Sequence, residues 1–383
     1  MTAQTEPSLR RGRLAATVAF SAQGFALAIL VTRVPTIKAY HGLSDLDLGL
    51  LLVLVPVLAG VGTVIAGVLA PRVGSAAVLR VSGPLVPLSV VGVGFAPSVV
   101  MLVAALSILG VAVGATDATM NMQGVAVQHA YGRPIISSCY AWFSLFSIVG
   151  ALLAAGAAEI DMPLGVFFGV CAVVVVPVQL VVARYLMADA PDDGHGASVR
   201  VPWAPVLVIG VALMGAYILD SAAQNWSAVF LTDATGSSES VAALAYGVYS
   251  LVLLLGRMAV DRLDMRFGPV ALVRAGSAIA LVAVLVIAAA PTPVIALAGF
   301  GLLGLAIAPM MPLAFTAAAA HDPERTGKAI ARVNIFNYLG VLLGAPLVGA
   351  ISEASSLRVA FAVLAVAPLI TFALAKSFRA STL

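Results

Sequence analysis

Long apolar runs, each closed by Pro, Gly or charge, follow one another from residue 15 to residue 377. A helix that crosses a bilayer needs about 20 mainly apolar residues. Twelve stretches of that size can be cut from the chain: 15–36, 46–70, 76–96, 98–123, 136–158, 163–187, 203–231, 239–261, 269–290, 292–319, 327–351 and 357–377. The clearest breaks run from Pro35 to Asp47 and fall at Pro71-Arg72-Val73-Gly74, Ala96-Pro97-Ser98 and Gly132-Arg133-Pro134. Strands of a membrane barrel would be about half as long and alternate in polarity, and these runs do neither. The pattern predicts an all-α membrane protein with twelve transmembrane helices.

The longest polar insertion, 188–202, has the composition of a flexible linker and leaves six spans on each side. The expected layout is a cytoplasmic N-terminus (1–14), a six-helix bundle (15–187), a cytoplasmic linker (188–202), a second six-helix bundle (203–377) and a cytoplasmic tail (378–383). Orientation follows from Lys and Arg. With the N-terminus inside, seventeen of the twenty Lys and Arg fall on inside segments, and only Arg33, Lys38 and Arg358 fall outside. Arg10-Arg11-Gly12-Arg13 before an apolar run resembles a secretory leader. No small-x-small site precedes Arg33, so the run reads as an uncleaved first helix.

Composition agrees with this picture and narrows the function classes. Hydrophobic residues make up 62% of the chain and charged residues 10%, with a mean hydropathy of +1.10. A soluble domain carries about 25% charge, so a soluble enzyme, a nucleic-acid binder and a disulfide scaffold are excluded. The net charge of +3 belongs to the inside loops and implies no nucleic-acid partner. Cys139 and Cys171 sit in apolar runs, and the four histidines have no ligand-spaced companions. No metal or other cofactor is expected. Arg325-Thr326-Gly327-Lys328-Ala329 lacks the upstream Gly and the following Ser or Thr of a nucleotide-binding loop. Energy for transport must then come from a gradient or another subunit, and no catalytic dyad at membrane depth suggests an enzyme.

Ionisable groups inside a span are costly, about 2.5–3.5 kcal/mol on insertion scales, and mark functional sites by default. Two carboxylates qualify, Asp117 and Asp220, one in each half. A desolvated carboxylate can exchange a proton near physiological pH, so both are candidate proton-coupling groups. At 1.5 Å per residue Asp117 lies roughly 29 Å from Ser98, which places it toward the cytoplasmic side unless the helix is long or tilted. Helical spacing puts Gly114, Asp117, Asn121, Gly124 and Gln128 on one face, and Gly110 with Gly114 permits a close helix contact. Tyr217, Asp220, Gln224 and Ser227 share a face, as do Tyr140 and Ser144, and as do Tyr246 and Arg257. Asn334, Asn337 and Tyr338 cluster, and the first span offers Gln23, with Arg33 near its outer end. The expected substrate cavity is therefore Gln23, Arg33, Asn121, Tyr140, Ser144, Tyr217, Gln224, Tyr246, Asn334, Asn337 and Tyr338. Interhelical packing is the competing role for each, and interfacial anchoring for Arg33. Gly67, Arg72 and Gly74, with Arg257, Asp261 and Arg262, are expected in loops that latch conformations.

Two six-helix halves with related loops at matching places are the signature of a parallel-repeat transporter. The chain resembles a member of the major facilitator superfamily over nearly its whole length. Thr32-Arg33-Val34-Pro35-Thr36-Ile37-Lys38, Asp117-Ala118-Thr119-Met120-Asn121, Gly132-Arg133-Pro134, Asn225-Trp226-Ser227-Ala228-Val229-Phe230-Leu231 and Asn337-Tyr338-Leu339-Gly340 resemble the bacterial branch containing the rhizopine transporter. The fourth span is similar to that of the fucose/proton symporter, where an acid-x-x-x-Asn pair faces the cavity. Pro71 stands where the superfamily loop usually has Asp, Tyr140 where the branch commonly has His, Asp220 where it often has Glu, and Asn225 where it often has Asp. The resemblance implies a functional monomer in the bacterial cytoplasmic membrane.

The cavity residues are amides, hydroxyls and aromatics with few charges. They suit a small polar solute (a sugar, polyol or aminopolyol), moved by alternating access and driven by protons. The alternatives are a proton-driven exporter of a specific metabolite, antibiotic or drug, and a non-transporting membrane sensor. The expected partners are that solute, protons and the lipid bilayer.

Overall fold

The structure is a computed structural model, and it describes residues 6–43, 45–187, 201–237, 239–322 and 326–379. The linker expected at 188–202 lies outside the described residues up to 200, as do 1–5 of the N-terminus and 380–383 of the tail. The described elements are all helical: α1 (Glu6–Thr32), α2 (Val34–His41), α3 (Asp45–Val73), α4 (Ser75–Gly94), α5 (Val99–Tyr131), α6 (Ile136–Glu159), α7 (Leu164–Ala183), α8 (Trp203–Thr235), α9 (Glu239–Phe267), α10 (Pro269–Ala289), α11 (Pro293–Ile307), α12 (Met310–Ala319), α13 (Lys328–Ala354), α14 (Leu357–Val363) and α15 (Val366–Leu374). Among the described residues twelve spans are long and apolar enough to cross a membrane. α11 and α12 form one of them (Pro293–Ala319), and α14, α15 and a closing 3-10 turn form the last (Leu357–Phe378). Apolar side chains face outward, as a bilayer requires. On α7, Val166, Val170, Val173 and Val174 are 48%, 59%, 74% and 63% exposed.

Local chemistry sets the boundaries. The break expected from Pro35 to Asp47 contains the short helix α2, because proline suits the first helical positions. Gly42, at φ +62°, ends it. α3 continues past Pro71 to Val73, and the turn into α4 is the single residue Gly74 at φ +89°. In the second half α9 likewise runs to Phe267, and Gly268 at φ +76° turns the chain into α10. This corrects the loop expectation: Gly67 and Arg72 lie inside α3, and Arg257, Asp261 and Arg262 lie inside α9. One glycine with a backbone conformation open to it makes each turn, and helix fills the rest. The tenth span is interrupted at Ala308 and Pro309, where proline removes a backbone donor.

The helices form two compact units. The first is Met1–Arg200 with Asp322–Asn334, and the second is Val201–His321 with Ile335–Leu383. The start of α13 therefore packs with the first unit and the rest of it with the second.

Small residues set the closest approaches within each unit. A Cβ on Gly114 of α5 would fall on the backbone carbonyl oxygen of Ala59 in α3. A Cβ on Gly304 of α11 would fall on the carbonyl oxygen of Tyr249 in α9. In lipid, where helices gain nothing from burying apolar surface against one another, such backbone approach supplies the packing. The Gly114 contact lies one turn before Asp117, and the Gly304 contact touches the residue that holds Asp220.

Candidate functional site

α5 and α8 are each 33 residues long, about 50 Å at 1.5 Å per residue. Asp117 is residue 19 of the first and Asp220 residue 18 of the second, so each stands within two residues of its helix midpoint. Asp117 was expected toward the cytoplasmic side unless its helix is long, and α5 is long: it runs past 123 to Tyr131, its further polar residues satisfied inside the protein. Gln123 Nε2 donates to Ser75 Oγ (2.8 Å) and Met187 O (2.9 Å), and its Oε1 accepts from Met187 N (2.8 Å). Gln128, placed by spacing on the Asp117 face, accepts from the backbone N–H groups of Ile135 (3.0 Å) and Ile136 (3.4 Å). It serves the start of α6, whose first N–H groups have no partner within their own helix.

In the first unit α1, α5 and α6 bring four of the expected residues together. Gln23 Nε2 donates to Asp117 Oδ1. Asn121 Nδ2 donates to the carbonyl of Asp117 (2.9 Å), and Tyr140 Oη donates to Asn121 Oδ1 (3.1 Å). Phe20 packs edge-on against Tyr140 at 4.9 Å between ring centroids. Asp117 is half-buried and Gln23 is 2% exposed. Gln23 Oε1 is buried with no hydrogen-bond partner among the described residues. Ser144, one turn beyond Tyr140, is half-buried on α6.

In the second unit Asp220 is 7% exposed and held from two helices. Tyr249 Oη donates to its Oδ1, and Gln224 Nε2 donates to its Oδ2 at 2.8 Å. Arg257 is 5% exposed, and its Nη2 lies 3.2 Å from Met311 Sδ of α12. Tyr246 stacks on Tyr249 with centroids 6.4 Å apart, and is itself 48% exposed. Tyr217 is buried where α8 meets α13, its Cβ against the Cα of Gly340. Asn337 and Tyr338 are buried on α13.

Two expected cavity residues lie elsewhere. Arg33 follows α1, ten residues and about 15 Å of helix beyond Gln23. It is 4% exposed, and its Nη2 donates to Met162 O at 3.0 Å, fixing the turn between α6 and α7. Asn334 belongs to the first unit, where its Nδ2 donates to Thr63 Oγ1 (3.0 Å), which donates in turn to Gly114 O (3.1 Å). Of the expected latch residues, Gly67 touches Ala331 in the same unit, Asp261 is half-buried, and Arg72 and Arg262 are exposed.

The sequence reading missed Thr63, and it set Tyr249 beside the Tyr246 face without naming Asp220 as its partner. Thr63 is a lone hydroxyl in an apolar run, and that isolation was its signal. Tyr249 follows Tyr246 by three residues, the spacing that joins both to the Asp220 face. Among the described residues no group of His, Cys, Asp and Glu is placed to hold a metal ion.

Comparison with known proteins agrees with this architecture. The Major Facilitator Superfamily model matches residues 207–381. An uncharacterized MFS-type transporter of Yersinia pestis is 30% identical over 371 residues, covering 95% of this chain and 94% of that protein. The membrane protein MosC of Rhizobium meliloti is 27% identical over 366 residues, 92% of this chain and 86% of its own. The E. coli fucose:proton symporter FucP, in a crystal structure of its outward conformation, superposes with a TM-score of 0.79 at 14% identity, over 96% of this chain and 99% of that one. With twelve apolar spans among the described residues, two helical units and a relative 30% identical over 95% of its length, the chain belongs to the major facilitator superfamily of multi-pass membrane transporters.

Proposed function

We propose that the protein carries a small polar solute of the sugar, polyol or aminopolyol class across the bacterial cytoplasmic membrane by alternating access, coupled to protons. Asp117 and Asp220 are its coupling carboxylates, and both termini face the cytoplasm. One observation carries the reading. The buried Gln23 gives its amide N–H to Asp117 and keeps its Oε1 unpartnered, beside Asn121 and Tyr140. An unmet buried acceptor costs free energy, and a solute hydroxyl is the donor that would relieve it. The same hydroxyl can accept from a protonated Asp117, so loading a proton and loading the solute favour each other. Asp220 contributes through its bonds from Tyr249 and Gln224, which protonation of the carboxylate changes. The likeness of fold to a fucose:proton symporter supports coupling of this kind.

The test is a thermal-shift panel on purified, detergent-solubilised protein, with sugars, inositols and aminopolyols set against amphipathic antibiotics at acid and alkaline pH. Binding to the folded state raises the melting temperature. The expected result is stabilisation by a polar solute that depends on pH and is lost in Asp117→Asn. Stabilisation by the amphipathic compounds alone would reassign the protein to the exporters. Absence of solute flux from the unaltered protein in liposomes would leave the sensor reading.

A further inference from the structure

We propose that the first unit holds a seat for an anionic glycerophospholipid in the crevice between α1, α4 and α7, independent of the solute site. Ala15 and Ala19 of α1, Leu79 and Gly83 of α4, and Gln179 and Val182 of α7 line it. The crevice opens among apolar side chains that face outward: Val81 is 69% exposed, and Val178 and Val181 are 46% and 54% exposed. Acyl chain is what surrounds such a surface. One wall is polar, however. Gln179 is 7% exposed, and its Oε1 is buried with no partner among the described residues. An unpartnered amide acceptor on a residue that lines an apolar crevice calls for a donor that arrives with the occupant, and a headgroup hydroxyl is such a donor.

The mouth supplies the charge. α4 begins where α7 ends, and Arg80 Nε donates to Ala183 O at 3.2 Å across that junction. Arg184 lies over the Tyr185 ring at 4.8 Å, and Arg11 over the same ring at 5.4 Å. Three exposed guanidinium groups are thus held around one end of the crevice. Arginines beside a cleft between spans recognise anionic headgroups, and each guanidinium presents paired donors to phosphate. Phosphate at the arginines, glycerol hydroxyl toward Gln179 and acyl chain along the alanine-lined groove describe phosphatidylglycerol.

The second unit provides a contrast. A crevice between α8, α10, α12 and α15 is lined by Ala216, Ser277, Ala280, Met310 and Thr371. Its hydroxyls are satisfied locally, Ser277 Oγ donating to Val273 O (2.8 Å) and Thr371 Oγ1 to Ala367 O (3.0 Å). That crevice asks nothing of an occupant.

The experiment is a native mass spectrometry titration of delipidated protein with dioleoyl phosphatidylglycerol and with dioleoyl phosphatidylcholine. Unfolding temperatures with each lipid, with inorganic phosphate and with neither are read in parallel. Phosphatidylglycerol should be retained in preference to phosphatidylcholine. Replacing two headgroup arginines, in Arg80→Gln/Arg184→Gln, should weaken its binding roughly thirtyfold, and Gln179→Leu about fivefold. Ser277→Ala in the other crevice should leave it unchanged. The lipid-free unfolding temperature shows whether each variant folds. If the double variant does not, Gln179→Leu against Ser277→Ala decides. Equal retention of the two lipids, undiminished binding by the folded double variant, or the same stabilisation from inorganic phosphate alone would overturn the proposal.

Discussion

Asp117 and Asp220 stand at matching places on helices of equal length, yet their surroundings differ. Asp117 is half-buried and takes an amide N–H from Gln23, with the amide of Asn121 on its backbone and a phenol behind that. Asp220 is buried under a phenol and an amide. The first unit therefore builds a polar set around a half-buried acid. The second encloses its acid between two donors. A buried donor that loses a charged acceptor is costly, whereas an exchange among neutral hydrogen-bonding groups is mild. We take the contrast to grade two parts in coupling: Asp117 exchanges with the surroundings, and Asp220, through Tyr249, also ties α8 to α9.

The largest expected effect tests that division. Asp220→Asn weakens the buried acceptors of Tyr249 and Gln224 and should cost about 3 kcal/mol of stability, while Asp117→Asn, at a half-buried position, should cost about 1 kcal/mol. Thermal unfolding in detergent measures both. Equal losses from the two Asp variants would break the contrast.

Next come the glycine contacts that position each acid. Gly114→Val drives methyl groups into the Ala59 carbonyl, and Gly304→Val into that of Tyr249. Each should cost about 3 kcal/mol, at the upper end for overpacking, read as a lower unfolding temperature or lost expression. Tolerance of valine at either position would mean that the backbones need not approach so closely.

Smaller losses sharpen the picture. Tyr249→Phe removes a hydrogen bond to a carboxylate and should cost about 2 kcal/mol. Asn121→Ala, on the Asp117 side, removes neutral bonds and should cost about 1 kcal/mol. Asn334→Ala should likewise cost about 1 kcal/mol by leaving Thr63 Oγ1 without its donor. If Asn121→Ala proves more damaging than Tyr249→Phe, the first unit is the more tightly held one.

Apolar run length makes the twelve spans legible without coordinates, since a bilayer imposes that length on every helix. The two acids within the spans were legible for a related reason, because charge in such runs stands out. The lengths of α5 and α9 were less so. Gln123 read as the end of a span although helical spacing carried the Asp117 face on to Gln128, and the partners of both (Ser75, Met187 and the start of α6) show why the helix continues through them. Arg257 read both as a member of the Tyr246 face and as a latch charge, because a sequence does not reveal its burial against Met311. Arg33 and Asn334 carried the right chemistry for a cavity. Their contacts with Met162 and Thr63 are set by tertiary packing, to which helical periodicity is blind.

The central claim is that Asp117 carries the coupled proton. The direct measurement is proton uptake by proteoliposomes loaded with a pH-sensitive dye, driven by an inward gradient of the polar solute that gives the largest thermal shift. The unaltered protein should move protons with the solute. Asp117→Asn should still exchange labelled for unlabelled solute, yet acidify the lumen no faster than empty liposomes. Solute-driven proton uptake that persists at the unaltered rate in Asp117→Asn would contradict the account.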